Sequence, residues 1–598
     1  MKIKKIFAMF SSMIIAASCS MSVAVNVNAE DYANYGMGDL EITQSEKQSF
    51  YSQFDESDCS IDLSNITSVP TACDLSTNED SVYFPPIGSQ GGIGSCTAWA
   101  TTYYQYTYAA NKLNDVATTS SNAYSPSWTY NFINGGGNNG TVYTDAYDVL
   151  HKQGALTLSE MPYNPNSYNY DFSWSNNTSA MMNALKTRMS YSGETVISSS
   201  GTPITSKTDN DLKQAKALLS TGHVLLVRVQ AESGLNNWSF KNCYGNSSEY
   251  VAYRASAVVG GHAMAVVGYN DNVCCDVNGN GTIEASERGA FKIANSWGTN
   301  WKNDGYVWVL YDALNKVSAN KTNNWENSES GARISIFARG AADDNTFSFI
   351  EVENYDVNMA GLLTINTNYR NKLKVDLFRN NKSTTVDANF ISYLNVNNEL
   401  KSFAPFNGSI VLDYSQLDDP ASECTRGYYF GLDIQNSDSQ NALTFSNISF
   451  KIIDDKFNVI KQISSLPTSI AKGNNVYNSV RVTCQKGDLN YDNSIDALDV
   501  EMLSEYNLGT ISFSNLQEYL GDFNNDGIIS NADTSALSRY LLFNGNLSAY
   551  ELKKISTINQ KSLDYMIANN YSSAEIQEIK SLNYEIKAQL GGNYNETK

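Results

Sequence analysis

Histidine is nearly absent from this chain: His151, His223 and His262 are the three among 598 residues. Any reaction that needs an imidazole must choose among them. Basic side chains are also in short supply, 41 Lys and Arg against 62 Asp and Glu, for a formal net charge of −21. That balance reads as a soluble, secreted surface and argues against a nucleic-acid partner, which would demand a cationic footprint. Cysteine is sparing too, and the nine present do not impose a disulfide framework. Cys19 lies in the apolar run Ile6–Val25, which follows Lys2, Lys4 and Lys5 and precedes Val27-Asn-Ala29, the pattern of a secretory signal peptide (1–29) cut after Ala29. The run is long enough to serve instead as an uncleaved anchor, and Ala17-Ser-Cys19 is a faint lipoprotein-like alternative. Export is expected, with no membrane attachment after cleavage.

What is present begins with Gly88-Ser-Gln-Gly-Gly-Ile-Gly-Ser-Cys-Thr-Ala-Trp-Ala100. Glycines let the backbone turn tightly and approach a ligand. A thiol at the first turn of the helix that follows has its thiolate favoured by the dipole. Cys96 is therefore the candidate nucleophile. Gly260-Gly-His-Ala-Met-Ala-Val-Val-Gly-Tyr269 and Asn295-Ser-Trp-Gly-Thr-Asn-Trp301 then deliver a His and an Asn in the order Cys96, His262, Asn295. The other two histidines read as structural: His151 in the last turn of a helix stopped by Gly154, His223 at the start of the strand-like Val224–Val229.

Together these motifs resemble the papain family of cysteine proteases, over roughly residues 70–340. Gln90, six residues before Cys96, stands where the family carries the glutamine whose amide donates to the oxyanion. The resemblance implies a Cys96 thiolate paired with a His262 imidazolium, Asn295 orienting the ring, and the Cys96 N–H with Gln90 as oxyanion donors. Such a His-paired thiol has a pKa of about 3–4 in this family. No cofactor is needed for that chemistry. The chain departs from the family at Thr97, usually an aromatic residue, and at Ile93, where the absent first cysteine of Cys-Gly-Ser-Cys removes the usual disulfide. Neither change touches a catalytic group. The fold implied is α+β and two-lobed, one lobe helical and one barrel-like, with Cys96 and His262 on opposite walls of a cleft. Residues 30–69 read as a short prosegment, without the longer helical prodomain many relatives use as an inhibitor, so latency is expected to be weak or achieved in another way.

Between His262 and Asn295 lies Asp276-Val-Asn-Gly-Asn-Gly-Thr-Ile-Glu-Ala-Ser-Glu287, which fits an EF-hand loop. Asp276, Asn278, Asn280, the Thr282 carbonyl, Glu284 and Glu287 would supply its oxygens; a polar Asn-Gly hairpin is the alternative. Residues 341–484 show short alternating runs, Phe347–Val352, Leu373–Leu377, Ser409–Leu412 and Tyr428–Asp433, expected to form a β-sandwich. Its aromatics read as core first and as a carbohydrate platform second. Cys424 and Cys484 are a candidate bridge there.

Gly487–Asp499 and Gly521–Asp533 repeat at an offset of 34 residues. Each is a calcium-type loop leading into a helix: Asp488, Asn490, Asp492, the Ser494 carbonyl, Asp496 and Asp499 in the first, Asp522, Asn524, Asp526, the Ile528 carbonyl, Ser530 and Asp533 in the second. Asn493 replaces the usual glycine at the sixth position, tolerable because Asn reaches the left-handed region. The duplicated half EF-hand (485–545) resembles the type I dockerin of cellulosomal enzymes, which implies two Ca2+ ions, with the 276–287 loop a third site, and a cohesin of a scaffolding protein as partner. So small a module buries little core and leans on metal for stability. The tail 546–598 has helical patterning and is expected to cap the dockerin. The whole reads as an exported, cell-surface, scaffold-docked endopeptidase acting on protein or peptide substrates. The rivals are another acyl-transferring Cys-His enzyme and a catalytically silent recognition or inhibitory module.

Overall fold

The buried run that follows Cys96 fixes the centre of the molecule. In the computed structural model, residues 35–591 are described apart from 56–58, 60, 62–67, 167–168, 174, 197–209, 232–234, 236–237, 245–248, 256–259, 315–345, 380–383, 388–405, 415–419 and 546. The signal-peptide reading and Cys19 lie outside the described residues. Cys96–Ala98, a π-helical Trp99–Tyr106 and Thr107–Leu113 form one unbroken helix. Every residue from Cys96 to Tyr106 is buried, Thr97, Thr101, Thr102 and Gln105 included. Two of its polar side chains bond to main-chain carbonyls on the sheet side: Tyr104 Oη donates to Asn295 at 2.8 Å, and Gln105 Nε2 to Val224 and Ser348 at 2.9 and 3.0 Å.

Around it stand Pro126–Ile133, capped by Ser125, and Tyr143–Gln153, ended by Gly154 at φ 60°. Thr178–Ala184 and Asn210–Ser220 complete this set of helices. The other wall is a nine-stranded sheet in the order Thr187–Val196, Thr346–Asn354, Leu225–Ala231, Gly260–Cys274, Arg288–Ala294, Tyr306–Leu310, Glu249–Ala255, Trp238–Tyr244, with Ala72–Asp74 paired to the edge of Gly260–Cys274. All its pairings are antiparallel except Glu249–Ala255 with Tyr306–Leu310. The run Phe347–Val352, expected to open the following β domain, belongs instead to this sheet. Thr346–Asn354 pairs along its length with Thr187–Val196, and Phe347 packs on Phe291 at 5.1 Å. Periodicity identified the strand correctly; which sheet it joined depended on long-range pairing.

Beyond it lie two four-stranded antiparallel sheets, Phe406–Asp413, Ala360–Thr367, Asn447–Ile453, Val459–Ile463 and Thr384–Asp387, Leu373–Arg379, Tyr429–Asn436, Asn475–Arg481. Leu363 and Ile365 from one, Val375, Leu377 and Leu432 from the other, lie in one buried core. Tyr414, Phe430 and Phe450 are inside it, Tyr414 meeting the others edge-on at 5.4 and 6.4 Å. The expected Cys424–Cys484 bridge is not formed; the Cys424 thiol donates to the Ala421 carbonyl at 3.2 Å within its own helix. The two residues meet through their main chains instead, Cys484 N–H on the Cys424 carbonyl at 2.9 Å. Among the described residues, Cys243 and Cys275 form a disulfide. A buried ion pair, Arg188 with Asp413 at 2.8 Å, ties the nine-stranded sheet to these two.

The C-terminal repeat forms the helices Ala497–Asn507, Asn515–Gly521 and Asn531–Asn544. Ala549–Ala568 and Ser573–Gln589, each opened by a Ser-Glu capping box, fold back on it. Ser504 meets Ser562 at 2.8 Å and Arg539 pairs with Glu578 at 3.0 Å. Among the described residues, no helix is long and apolar enough to cross a membrane.

Candidate active site and calcium loops

Cys96 opens its helix fully buried, and the strand carrying His262 packs against that helix. His262 Nε2 meets Asn295 Oδ1 at 2.8 Å, and the same oxygen accepts from the Ser296 N–H at 2.8 Å. As an acceptor, Asn295 Oδ1 selects the tautomer protonated at Nε2, so the Nδ1 edge carries the lone pair of the neutral ring. Trp297 lies 5.0 Å from the imidazole, ring centre to ring centre, and Trp301 meets Trp297 edge-on at 5.8 Å. Asn295 is itself fixed at both main-chain ends, its N–H on the Gly305 carbonyl at 2.9 Å and its carbonyl on Tyr104 Oη.

Gln90 is buried, its Oε1 accepting from Ser296 Oγ at 2.6 Å. That bond leaves the amide nitrogen to point the other way, where Nε2 donates to the Ile93 carbonyl at 2.8 Å and the Gly36 carbonyl at 2.7 Å. Ile93 itself, where the family carries a cysteine, is buried with Ala98, Tyr130 and Tyr170.

The Gly36 contact belongs to a feature that sequence reasoning missed. Residues 35–42 thread between the two walls as a strap. Gly36 N–H donates to the Gly91 carbonyl at 3.0 Å, Thr141 N–H to the Gly38 carbonyl at 2.7 Å, and Leu40 N–H to the Thr141 carbonyl at 3.0 Å. Asp39 runs parallel beside Thr141 and reaches the Gly261 carbonyl at 3.3 Å. A Cβ on Gly36 would overlap the Ile93 carbonyl and one on Gly38 the Gly94 carbonyl, so this approach requires glycine. Tyr35 packs on Trp297 at 5.6 Å. The signal was present in the sequence as Gly36-Met-Gly-Asp39 but had no partner until the fold supplied one. Behind the strap, the capped helix Gln44–Tyr51 docks through Lys47 on Glu194 at 2.7 Å and Phe50 on Tyr147 at 6.2 Å.

The remaining histidines lie apart from this site. His151 Nδ1 meets the Met189 carbonyl at 2.7 Å, and burial pushes its pKa down, so the neutral ring rather than a dipole-stabilised cation is favoured. His223 contacts Glu351 at 3.4 Å.

In the loop 276–287 the carboxylates at the two ends hold main-chain N–H groups. Asp276 accepts main-chain N–H from Gly279, Asn280 and Gly281, and Glu287 from Val277, Asn278 and Glu284. Gly281 has φ 82°. Asn278 and Asn280 donate to Glu284, and the Thr282 N–H to Asn280 Oδ1. The two C-terminal loops repeat the arrangement. Asp488 accepts from Asp492 and Asn493, Asp492 from Ser494, and Asp499 from Leu489 and Asp496; Asp522 accepts from Asp526 and Gly527, Asp526 from Ile528, and Asp533 from Asn524 and Ser530. Asn490 and Asn524 hold their loops from the third position. Asn493 takes φ 67° and Gly527 φ 84°, the left-handed turn the sixth position needs. Burial raises Asp488 and lifts Asp499 to about 7, with neighbouring carboxylates adding to the rise. That acid cluster fits a cation. Among the described residues no three His, Cys, Asp or Glu side chains are gathered to hold a metal by themselves; an EF-hand set also draws on Asn, Ser and carbonyl oxygens.

Residues 69–325 match the family described as papain family cysteine protease, and residues 486–542 match the type I dockerin domain. Among solved structures, the chain is similar to xylellain, a cysteine protease from Xylella fastidiosa, at 20% identity over 53% of this chain and 96% of that one, TM-score 0.32. Digestive procathepsin L 3 of Tenebrio molitor larval midgut matches at 16% over 54% and 77%, TM-score 0.30. ProCathepsin B S9 from Trypanosoma congolense matches at 15% over 55% and 90%, TM-score 0.31. No curated protein matches the chain.

Proposed function

From a chain that carries a papain-family cysteine peptidase domain at 69–325 and a type I dockerin at 486–542, we propose a secreted endopeptidase that works through Cys96, His262 and Asn295 and is held on a cohesin-bearing scaffold. One observation carries the catalytic reading: His262 bonded to Asn295 at 2.8 Å, beside a buried Cys96 and a Gln90 amide that donates to a main-chain carbonyl in the cleft. In the reaction, His262 takes the Cys96 proton. The thiolate attacks the peptide carbonyl, whose oxygen gathers negative charge between the Cys96 N–H and Gln90 Nε2. His262 returns the proton to the departing amine, and water then hydrolyses the thioester with His262 as base. Asn295 holds the ring through both steps.

Residues 30–69 act as the prosegment, and the strap 35–42 provides the latency for which no long helical prodomain is needed. A peptide chain already bonded to Gln90, Gly91, Thr141 and Gly261 occupies the groove a substrate would use. The Asp, Asn, Ser and carbonyl oxygens of 488–499 and 522–533 would hold two Ca2+ ions, whose binding would supply folding energy to the dockerin, and the oxygens of 276–287 would hold a third that steadies the loop before the Asn295 strand.

The test is hydrolysis of unstructured casein under reducing conditions by the full chain and by Cys96→Ala. Cleavage that disappears in the variant supports the assignment; residual cleavage by Cys96→Ala overturns it.

A further inference from the structure

The strap is held in the cleft by charge as well as by main-chain bonds. Arg228, on the strand beside that of His262 and in register with Ala263, points its guanidinium at Asp39. Nε lies 3.1 Å from each carboxylate oxygen, and Nη2 donates to the Leu40 carbonyl at 2.7 Å. The guanidinium also lies over the ring of Tyr143 at 4.7 Å. Both partners are buried, Asp39 at 3% and Arg228 at 7% exposure. The walls around this carboxylate are those of the reaction centre: Thr97, next to Cys96, reaches Asp39 Oδ1 at 3.4 Å, and Gly261, next to His262, accepts the Asp39 N–H.

When the strap leaves, this pocket keeps its arginine. The side chain seated on its guanidinium is a carboxylate, that of Asp39, so the vacated pocket favours an incoming carboxylate over an apolar or cationic side chain. The planar fork suits a carboxylate and rejects a lysine by charge. We propose that Arg228 is a specificity-determining residue: the pocket it floors selects substrates with an Asp or Glu side chain next to the scissile region, and Asp39 is the chain's own occupant of that pocket. The inference rests on the peptidase reading above. It adds a substrate class, peptides with an acidic residue on the acyl side of the cut. The nearby carboxylate that could compete is Glu194, which accepts from Tyr143 Oη at 3.0 Å and loses Lys47 when the strap and its helix depart.

The experiment digests a peptide library with the full chain after limited proteolysis has released the strap, and reads cleavage sites by mass spectrometry. Asp and Glu should be enriched about tenfold or more at one fixed position within about three residues before the cut. In Arg228→Leu the enrichment should vanish from whatever cleavage remains, and Arg228→Lys should restore part of it. A second arm leaves the protein unaltered. A synthetic peptide of residues 35–42 should inhibit cleavage, and its Asp39→Asn counterpart should need about tenfold more to do so. Cleavage without acidic preference, as would follow if Glu194 swung onto Arg228, or equal inhibition by the two peptides, overturns the pocket assignment while leaving the peptidase reading standing. No cleavage of any peptide overturns both.

Discussion

At the residue scale, the proposed site divides into groups assigned to react and groups assigned to aim them. Asn295 accepts from both His262 and Ser296 at 2.8 Å, so Asn295→Ala leaves the imidazole free to turn. It should lower kcat roughly 10- to 100-fold with little change in KM, because orientation matters most at the transition state. Ser296 aims Gln90 through its hydroxyl. Gln90→Ala should cost about 10²- to 10³-fold in kcat, the usual loss for one oxyanion donor. In the uncleaved chain, Asp39→Asn weakens a buried charge pair, and docking of the strap should lose about 3 kcal/mol. Alkylation of Cys96 by iodoacetamide should then be faster than in the parent chain, and an unchanged rate would show that the strap does not guard the thiol. Cys96, His262, Asn295 and Gln90 could all be nominated from linear motifs. The pairing of Arg228 with Asp39 could not: 189 positions separate them.

At the scale of elements, short-range pattern was a good guide and pairing was not. The helix Tyr143–Gln153 ends at the Gly154 stop expected of it, and Asn493 takes the left-handed turn its position required. The strand Thr346–Asn354 was legible as a strand, yet its alternation carried no information on which sheet would receive it. The calcium-type loops permit a test by pH. Burial lifts Asp499 to about 7 without a cation, above the usual value of about 3.9. The folded, metal-free loop therefore binds the proton more tightly than the unfolded chain does. Its contribution to stability is complete below about pH 4 and is lost as pH rises through about 7. In excess chelator, the melting temperature of the repeat should fall between pH 5 and pH 8. With calcium the ionised form is the bound one and the trend should reverse. A melting curve in chelator that rises over that interval would refute the clustering of acid at Asp488 and Asp499.

At the scale of the whole molecule, the thiol site and the repeat are built on different secondary structure and should fail separately. Cys96→Ala should abolish hydrolysis and leave scaffold binding intact. Asp488→Ala with Asp522→Ala should abolish binding to a cohesin, measured by calorimetry, and leave casein cleavage in place. Loss of both functions in either variant would mean that the two halves are energetically one. The runs Leu373–Leu377, Ser409–Leu412 and Tyr428–Asp433 were legible as strands, but not the buried Arg188–Asp413 pair that fastens their sheets to the nine-stranded one.

That sheet has a practical consequence. The family match ends at residue 325, and an expression fragment trimmed there would look complete by homology. It would nonetheless lack Thr346–Asn354, which lies between Thr187–Val196 and Leu225–Ala231, so the first would lose the strand that joins it to the sheet and the second would become an open edge, inviting aggregation. A gene fragment for crystallisation or inhibitor screening should run past Asn354, and a recombinant product that stops short of it should precipitate where the longer one stays dispersed.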